Sequence, residues 1–311
     1  MKPPTRRRFS FRLYPVAFVI CLLGTGCNLF GPKAADKTPK TQAPAPTAHG
    51  TPTAQELIGY LNRQADMMQS LETRDLMIDV QSPSGSVTLD SGALVVQKPR
   101  SLKMVGRKLG MQQVVVGSNE DRFWFWVKPD PSDALFHCSY TDYEKGVDMP
   151  FPFQPEWVVE ALGMSPIGTS PGARVEEDKT TFRLIEDTTV QGQPAKKVTV
   201  FYKGEAQGDR PQVISRTVYD ASNRVIFTAE TVKVNRVAVK GPNSTPLVVP
   251  ERIDLKWPGQ KTALSIDLGR AKVNTPIGRE AFQMPQLGSK QIDLGRGDRP
   301  TGRGVVPARY R

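Results

Sequence analysis

Residues 168–172 read Gly-Thr-Ser-Pro-Gly, the Gly-x-Ser-x-Gly spacing of a hydrolase nucleophile elbow. In that motif the residue after the serine donates a backbone N–H to the oxyanion, and Pro171 has none. The elbow's histidine also follows its serine along the chain, whereas the two histidines here, His49 and His137, both precede Ser170. Two histidines and scattered carboxylates supply no metal-ligand spacing, and no phosphate-binding loop is present. Of three cysteines, Cys21 lies in an apolar N-terminal run, Cys27 follows that run after three small residues, and Cys138 alternates with Phe136 and Tyr140. That pattern makes Cys138 a small buried apolar residue rather than a reactive thiol, and puts His137 on the opposite, solvated side of a strand. The chemistry-bearing residues therefore point to a noncatalytic protein with no cofactor and no metal.

The formal charge of +11 raises the question of a nucleic-acid partner. Its distribution answers it. Residues 1–26 carry Lys2, Arg6, Arg7, Arg8 and Arg12 with no acid, residues 27–53 a net +2, and residues 289–311 a net +4, which together account for the whole excess. Residues 54–288 are neutral, so the part with core-forming composition presents no basic groove for phosphates, and no nucleic acid is expected.

The basic start is followed by the apolar run VAFVICLL, residues 16–23, too short for a bilayer core that needs roughly 20 residues. Residues 1–26 thus read as an export signal. The sequence LLGTGC resembles a bacterial lipoprotein lipobox, with Thr25 and Gly26 before Cys27 and Gly24 departing from the usual larger apolar residue. The resemblance implies that Cys27 is lipidated and anchors the chain in a membrane, and Asn28 after it points to the outer membrane of a bacterial envelope, facing the periplasm. An ordinary signal peptide with an incidental cysteine is the alternative. Thr5 to Phe9 also resembles the start of a twin-arginine signal, against a plain basic leader. Residues 27–52, rich in Pro, Ala, Thr and Lys, are a disordered tether, because such a composition cannot bury enough apolar surface to order itself.

Residues 53–288 form the expected domain, and the Gly/Arg-rich residues 289–311 a basic disordered tail. Thr53 and Glu56 spell a capping box, after which Leu57, Leu61, Ala65 and Met68 repeat on one helical face. Met67 and Met68 fill a core gap or line a ligand. Short runs then follow at hairpin spacing, from LMIDVQ to ALFHCSY and from TFRLIED to AKVN, which predicts antiparallel strands in sequence order. Between the two sets, Pro155, the apolar stripe Trp157, Val158, Ala161 and Leu162, and Gly163 as a stop predict a short helix over the concave side of a curved sheet. In RFWFWV, alternation sends Phe123, Phe125 and Val127 to one side and Trp124 and Trp126 to the other. The Phe row faces either a hollow, joined by Leu102 and Met104, or ordinary core. The Trp pair is then half exposed or covered by a helix.

This order of parts resembles the LolA/LolB-like family of lipoprotein-sorting carriers. The carriers of the resemblance are GALVVQKPRSLKM at 92–104, DRFWFWVKPDPSDALF at 121–136, and VVPERIDLKWPG with AKVNTPIGREAFQMP near the end of the domain. It implies a mainly β (α+β) fold: a strongly curved antiparallel sheet forming an unclosed half-barrel, with an N-terminal helix and a mid-chain lid helix. It also implies a hydrophobic hollow that holds the acyl chains of a lipid or lipoprotein, with Leu102, Met104, Phe123, Phe125, Val127, Trp157, Val158 and Leu162 as lining. The alternative within the same fold is a noncatalytic envelope sensor or module that docks a protein partner.

Overall fold

The computed structural model describes residues 50–128, 133–147, 154–168, 170–204, 209–237 and 246–296. The lipobox with Cys27, the export signal, His49, the tether up to that residue, Thr169 of the elbow-like motif and the basic residues from 297 onward lie outside them.

Thr53 opens the first helix as its residue types require. Its hydroxyl accepts the Glu56 N–H at 3.2 Å, and the Glu56 carboxylate accepts the Thr53 N–H at 2.7 Å. Helix α1 (Ala54–Met67) then buries Leu57, Ile58, Leu61 and Ala65. Asn274 holds its far end, donating to the Met67 carbonyl at 2.8 Å and accepting the Gln69 N–H at 2.8 Å. Asn274 itself sits at φ 57°, a left-handed conformation that asparagine tolerates better than most residues.

The chain continues through β1 (Ser70–Thr73), β2 (Met77–Ser82), β3 (Gly85–Leu89), β4 (Ser91–Gln97), β5 (Ser101–Lys108), β6 (Met111–Ser118), β7 (Arg122–Val127) and β8 (Ala134–Ser139). Two short helices follow, α2 (Tyr140–Glu144) and α3 (Pro155–Ala161). The second half holds β9 (Arg174–Glu177), β10 (Thr181–Val190), β11 (Gln193–Tyr202), β12 (Val213–Asp220), β13 (Val225–Val237), β14 (Leu247–Trp257), β15 (Thr262–Asp267), β16 (Lys272–Val273) and β17 (Lys290–Asp293).

The curved sheet expected from the sequence is two sheets, and neither closes into a barrel. One has eight strands in the order β16-β1-β4-β5-β6-β7-β8-β17, the other nine in the order β3-β2-β15-β14-β13-β12-β11-β10-β9. Hairpin order holds through β4–β8 and through β9–β15. It breaks at the start because the β2–β3 hairpin crosses to the nine-stranded sheet and pairs with β15, leaving β1 beside β4. The corner requires Gly92, where a Cβ would stand 2.4 Å from the Val105 carbonyl oxygen and 3.3 Å from Leu76. Thr73 stitches the corner by donating its hydroxyl to the Leu268 carbonyl at 2.7 Å.

One core joins the inner faces of both sheets, with Leu94, Leu102, Met104, Phe123, Phe125 and Phe136 on one side and Phe227, Ile253, Leu255 and Trp257 on the other. Burying each such side chain contributes about 1.5–3 kcal/mol. A smaller cluster lies on the outer face of the eight-stranded sheet.

The domain boundary expected at residue 288 falls short of the folded part. Residues 290–293 form β17, which pairs in parallel with β8, and Ile292 is only 6% exposed. Four residues among glycines and arginines give too short an alternation to be read as a strand.

Candidate functional site

The aromatic strand β7 is buried on both faces. Phe123 meets the rings of Tyr140 and Tyr143 of α2, each at 5.6 Å, and Phe125 stacks on Phe136 at 5.2 Å. Trp124 on the opposite face pairs across the ladder with Gly117, where a Cβ would stand 2.5 Å from the indole. Trp126 donates its Nε1–H to Asp133 Oδ1 at 3.1 Å. What covers the Trp pair is not a helix but the segment after β16, through Met284 and Leu287.

Leu102, Met104, Phe123, Phe125, Trp157, Val158 and Leu162 all fall in one interior cluster. Val127 does not join them, since it lies 37% exposed at the end of its strand.

Helix α3 differs from the expected lid over an open hollow. Pro155 starts it, and Trp157, Val158, Val159 and Ala161 are all buried. Only Glu156 and Glu160, one turn apart, give α3 a polar edge, and the rest of its surface is apolar and buried, so it sits as a plug between the sheets. Trp157 stacks on Phe227 of β13 at 4.5 Å and 15°, and Phe227 leans on Trp257 at 5.2 Å.

Beside the plug, between α1, the end of α3 and strands β12–β14, lies a pocket with apolar walls from Leu61, Leu162, Ile167 and Val234. Its free space is about 60 Å³. Asn62 of α1 clamps the segment after α3 by donating to the Ile167 carbonyl at 2.9 Å and accepting its N–H at 2.7 Å.

The floor of this region is polar where an apolar sheet face would be expected. Ladder register places Glu186 opposite Lys197 and Thr199 opposite Arg216, and Glu160 approaches them from the last turn of α3. Lys197 Nζ is 3.0 Å from Glu160 Oε1 and 3.8 Å from Glu186 Oε2, and Arg216 Nε is 3.8 Å from Glu160 Oε1. Burial raises the Glu186 carboxyl above the ordinary range, with Lys197 opposing. The sequence reading missed these residues. Their signal is alternation: Leu184 and Glu186 share a face, as do Ala195, Lys197, Thr199 and Phe201, and Arg216 shares one with Val218.

The remaining candidates carry no reaction centre. Ser170 precedes a turn into β9, so a strand follows it rather than the helix of an elbow. His137 is buried, not solvated. It lies beneath β17 with Nδ1 4.0 Å from Asp293 Oδ1, and burial lowers its pKa while Asp293 opposes. Cys138 is fully buried, its thiol donating to the Ser139 carbonyl at 3.3 Å and pushed up to about 11 by burial. We expect Cys138 in the native protein to resist alkylation at about pH 8 and to react on denaturation; rapid native labelling of Cys138, located by peptide mapping, would overturn that placement. Among the described residues, no three His, Cys, Asp or Glu side chains gather to hold a metal, and no helix is long and apolar enough to cross a membrane.

Two solved structures are similar to this chain at low identity. A DUF1329 family protein from Desulfovibrio piger ATCC 29098 is 11% identical, with 74% of this chain and 95% of that chain covered at a TM-score of 0.48. A LolA superfamily protein from Nitrosomonas europaea is 11% identical, with 75% of this chain and 99% of that chain covered at a TM-score of 0.43. No family model and no curated protein matches the sequence. At these identities the side chains around α3 have to be read from this structure itself.

Proposed function

We propose that this protein binds the acyl chains of a lipid or lipoprotein in the space that α3 now fills, as a noncatalytic carrier or acceptor anchored in a bacterial envelope through a lipidated Cys27 in the outer membrane. The observation that carries the proposal is a seven-residue helix with Trp157, Val158, Val159 and Ala161 buried between two sheets that do not close. Withdrawal of such a helix bares Phe227, on which Trp157 stacks, beside Trp257, and opens the interior cluster to which Leu102, Met104, Phe123 and Phe125 also belong. An acyl chain that replaces Trp157 recovers the lost burial at about 0.8 kcal/mol per CH₂, so transfer needs only a difference in burial between two sites.

Bromine-labelled fatty acid supplies the test, because bromine quenches only nearby indoles. Two of the four tryptophans, Trp157 and Trp257, belong to the interior cluster, and Trp124 and Trp126 to the outer one. Saturable quenching that survives in a Trp124→Phe/Trp126→Phe variant, together with lipid in native extracts of the full chain, is the expected result. Lipid-free protein that shows no quenching would defeat the proposal.

A second reading draws on the small free space beside α3, about 60 Å³. A filled interior suits a module that docks a protein partner on its surface. One stoichiometric protein recovered with the chain, and no lipid by mass spectrometry, would favour it.

A further inference from the structure

We infer that the pocket between α1 and α3 selects single-chain amphiphiles with an anionic head, a carboxylate or a phosphate, which takes the place of Glu160 on Arg216 and Lys197. This rests on the acyl-chain reading and adds the sign of the head group. Arg216 lines the pocket, is 8% exposed, and has a buried Nε with no hydrogen-bond partner. Its ion-pair contact is with one oxygen of Glu160 at 3.8 Å, too long for a hydrogen bond. A guanidinium presents a planar fork that matches carboxylate or phosphate through two parallel bonds, and Glu160 leaves that geometry unmade. Thr199 Oγ1 and Glu186 Oε2, on neighbouring strands of the same floor, are also buried without hydrogen-bond partners.

Charge balance decides the sign. With α3 in place, Arg216 and Lys197 face Glu160 and Glu186, two cations against two carboxylates. Glu160 belongs to the plug, and the free space of about 60 Å³ is far below the ~300–1,000 Å³ of a typical ligand site, so a chain enters only as α3 yields. When Glu160 leaves with the helix, one positive charge in a buried floor loses its partner. A neutral head leaves it uncompensated; an anionic head restores the balance. The apolar chain then runs along Leu61 of α1 and Val234 of β13.

The full-length protein tests this with four displacers of a fluorescent fatty-acid probe: palmitate, 1-palmitoyl lysophosphatidate, hexadecanol and methyl palmitate. Both anions, or one of them, should bind at least about tenfold more tightly than the neutral pair. The stronger anion identifies the head as carboxylate or phosphate. Arg216→Met should bring that ratio below about threefold while neutral binding persists, and Glu160→Gln, which removes the resident competitor, should widen it. Equal binding of anionic and neutral chains by the wild type overturns the inference and leaves the acyl-chain reading standing. A ratio that survives Arg216→Met also overturns it. Failure of all four displacers overturns both. If Arg216→Met does not fold, the wild-type ratio and its response to Glu160→Gln decide.

Discussion

Replacing Trp124 by alanine should lower the unfolding free energy by about 3–5 kcal/mol, whereas Trp124→Phe should cost much less. The indole is 0% exposed and lies on Gly117, whose missing Cβ is what lets it pack against the sheet. Val105, Val115 and Leu135 hold its sides, and Met284 and Leu287 close over it. Truncation to alanine therefore leaves a cavity that a β-sheet floor cannot collapse to fill. The phenylalanine variant keeps most of the ring, and it gives up an Nε1–H that is buried without a hydrogen-bond partner, so little polar stabilisation is lost. Urea unfolding followed by circular dichroism measures both. An alanine variant that loses under about 1 kcal/mol would show that the segment around Met284 does not seal this face in solution.

Lys197→Met should cost about 3–5 kcal/mol near neutral pH, because it leaves Glu160 and Glu186 facing Arg216 alone in a buried site. The loss should depend on pH with a definite sign. Glu186 has a folded-state pKa raised by burial even with Lys197 present. A carboxyl raised in this way contributes stability that is fully present below its unfolded value and is lost as pH rises through the folded one. Without Lys197 that rise extends further, so the gap between variant and wild type should be large at about pH 7 and shrink by about pH 4. Tyr60, whose hydroxyl is also raised by burial and also faces Arg216, titrates above this window. Urea midpoints at the two pH values provide the check. A gap unchanged by pH would assign the loss to packing of the lysine stem.

Much of the framework was legible because its signals are local. The Thr53–Glu56 capping box, the bounds of β5 and the alternation in β7 each depend on a few neighbouring side chains, and the structure keeps all three. The second sheet was not legible: the crossing of β2 and β3 depends on a pairing with β15, nearly 190 residues away along the chain. The plug was half legible. The apolar stripe on α3 was plain, but burial of Val159 as well shows that the helix is enclosed on sides that a lid would leave wet. At the candidate site, Leu162 lines the pocket as well as the core, whereas Phe123 and Phe125 pack against aromatic side chains from α2 and β8. Arg216 and Lys197 were passed over because charged residues on strands are usually solvated, and only strict alternation assigns them inward.

The strand β17 sets the order in which this architecture can be completed. It ties Lys290–Asp293 to Ala134–His137 in parallel, and the segment just before it carries Met284 and Leu287 over the paired indoles. Strands β4 to β8 can form as successive hairpins while the chain is still emerging, but one side of that sheet stays greasy and wet until some 150 further residues have arrived. Contacts of such sequence separation slow folding and prolong exposure of sticky surface. Until that segment arrives, the tryptophan face needs shelter from something other than the chain itself.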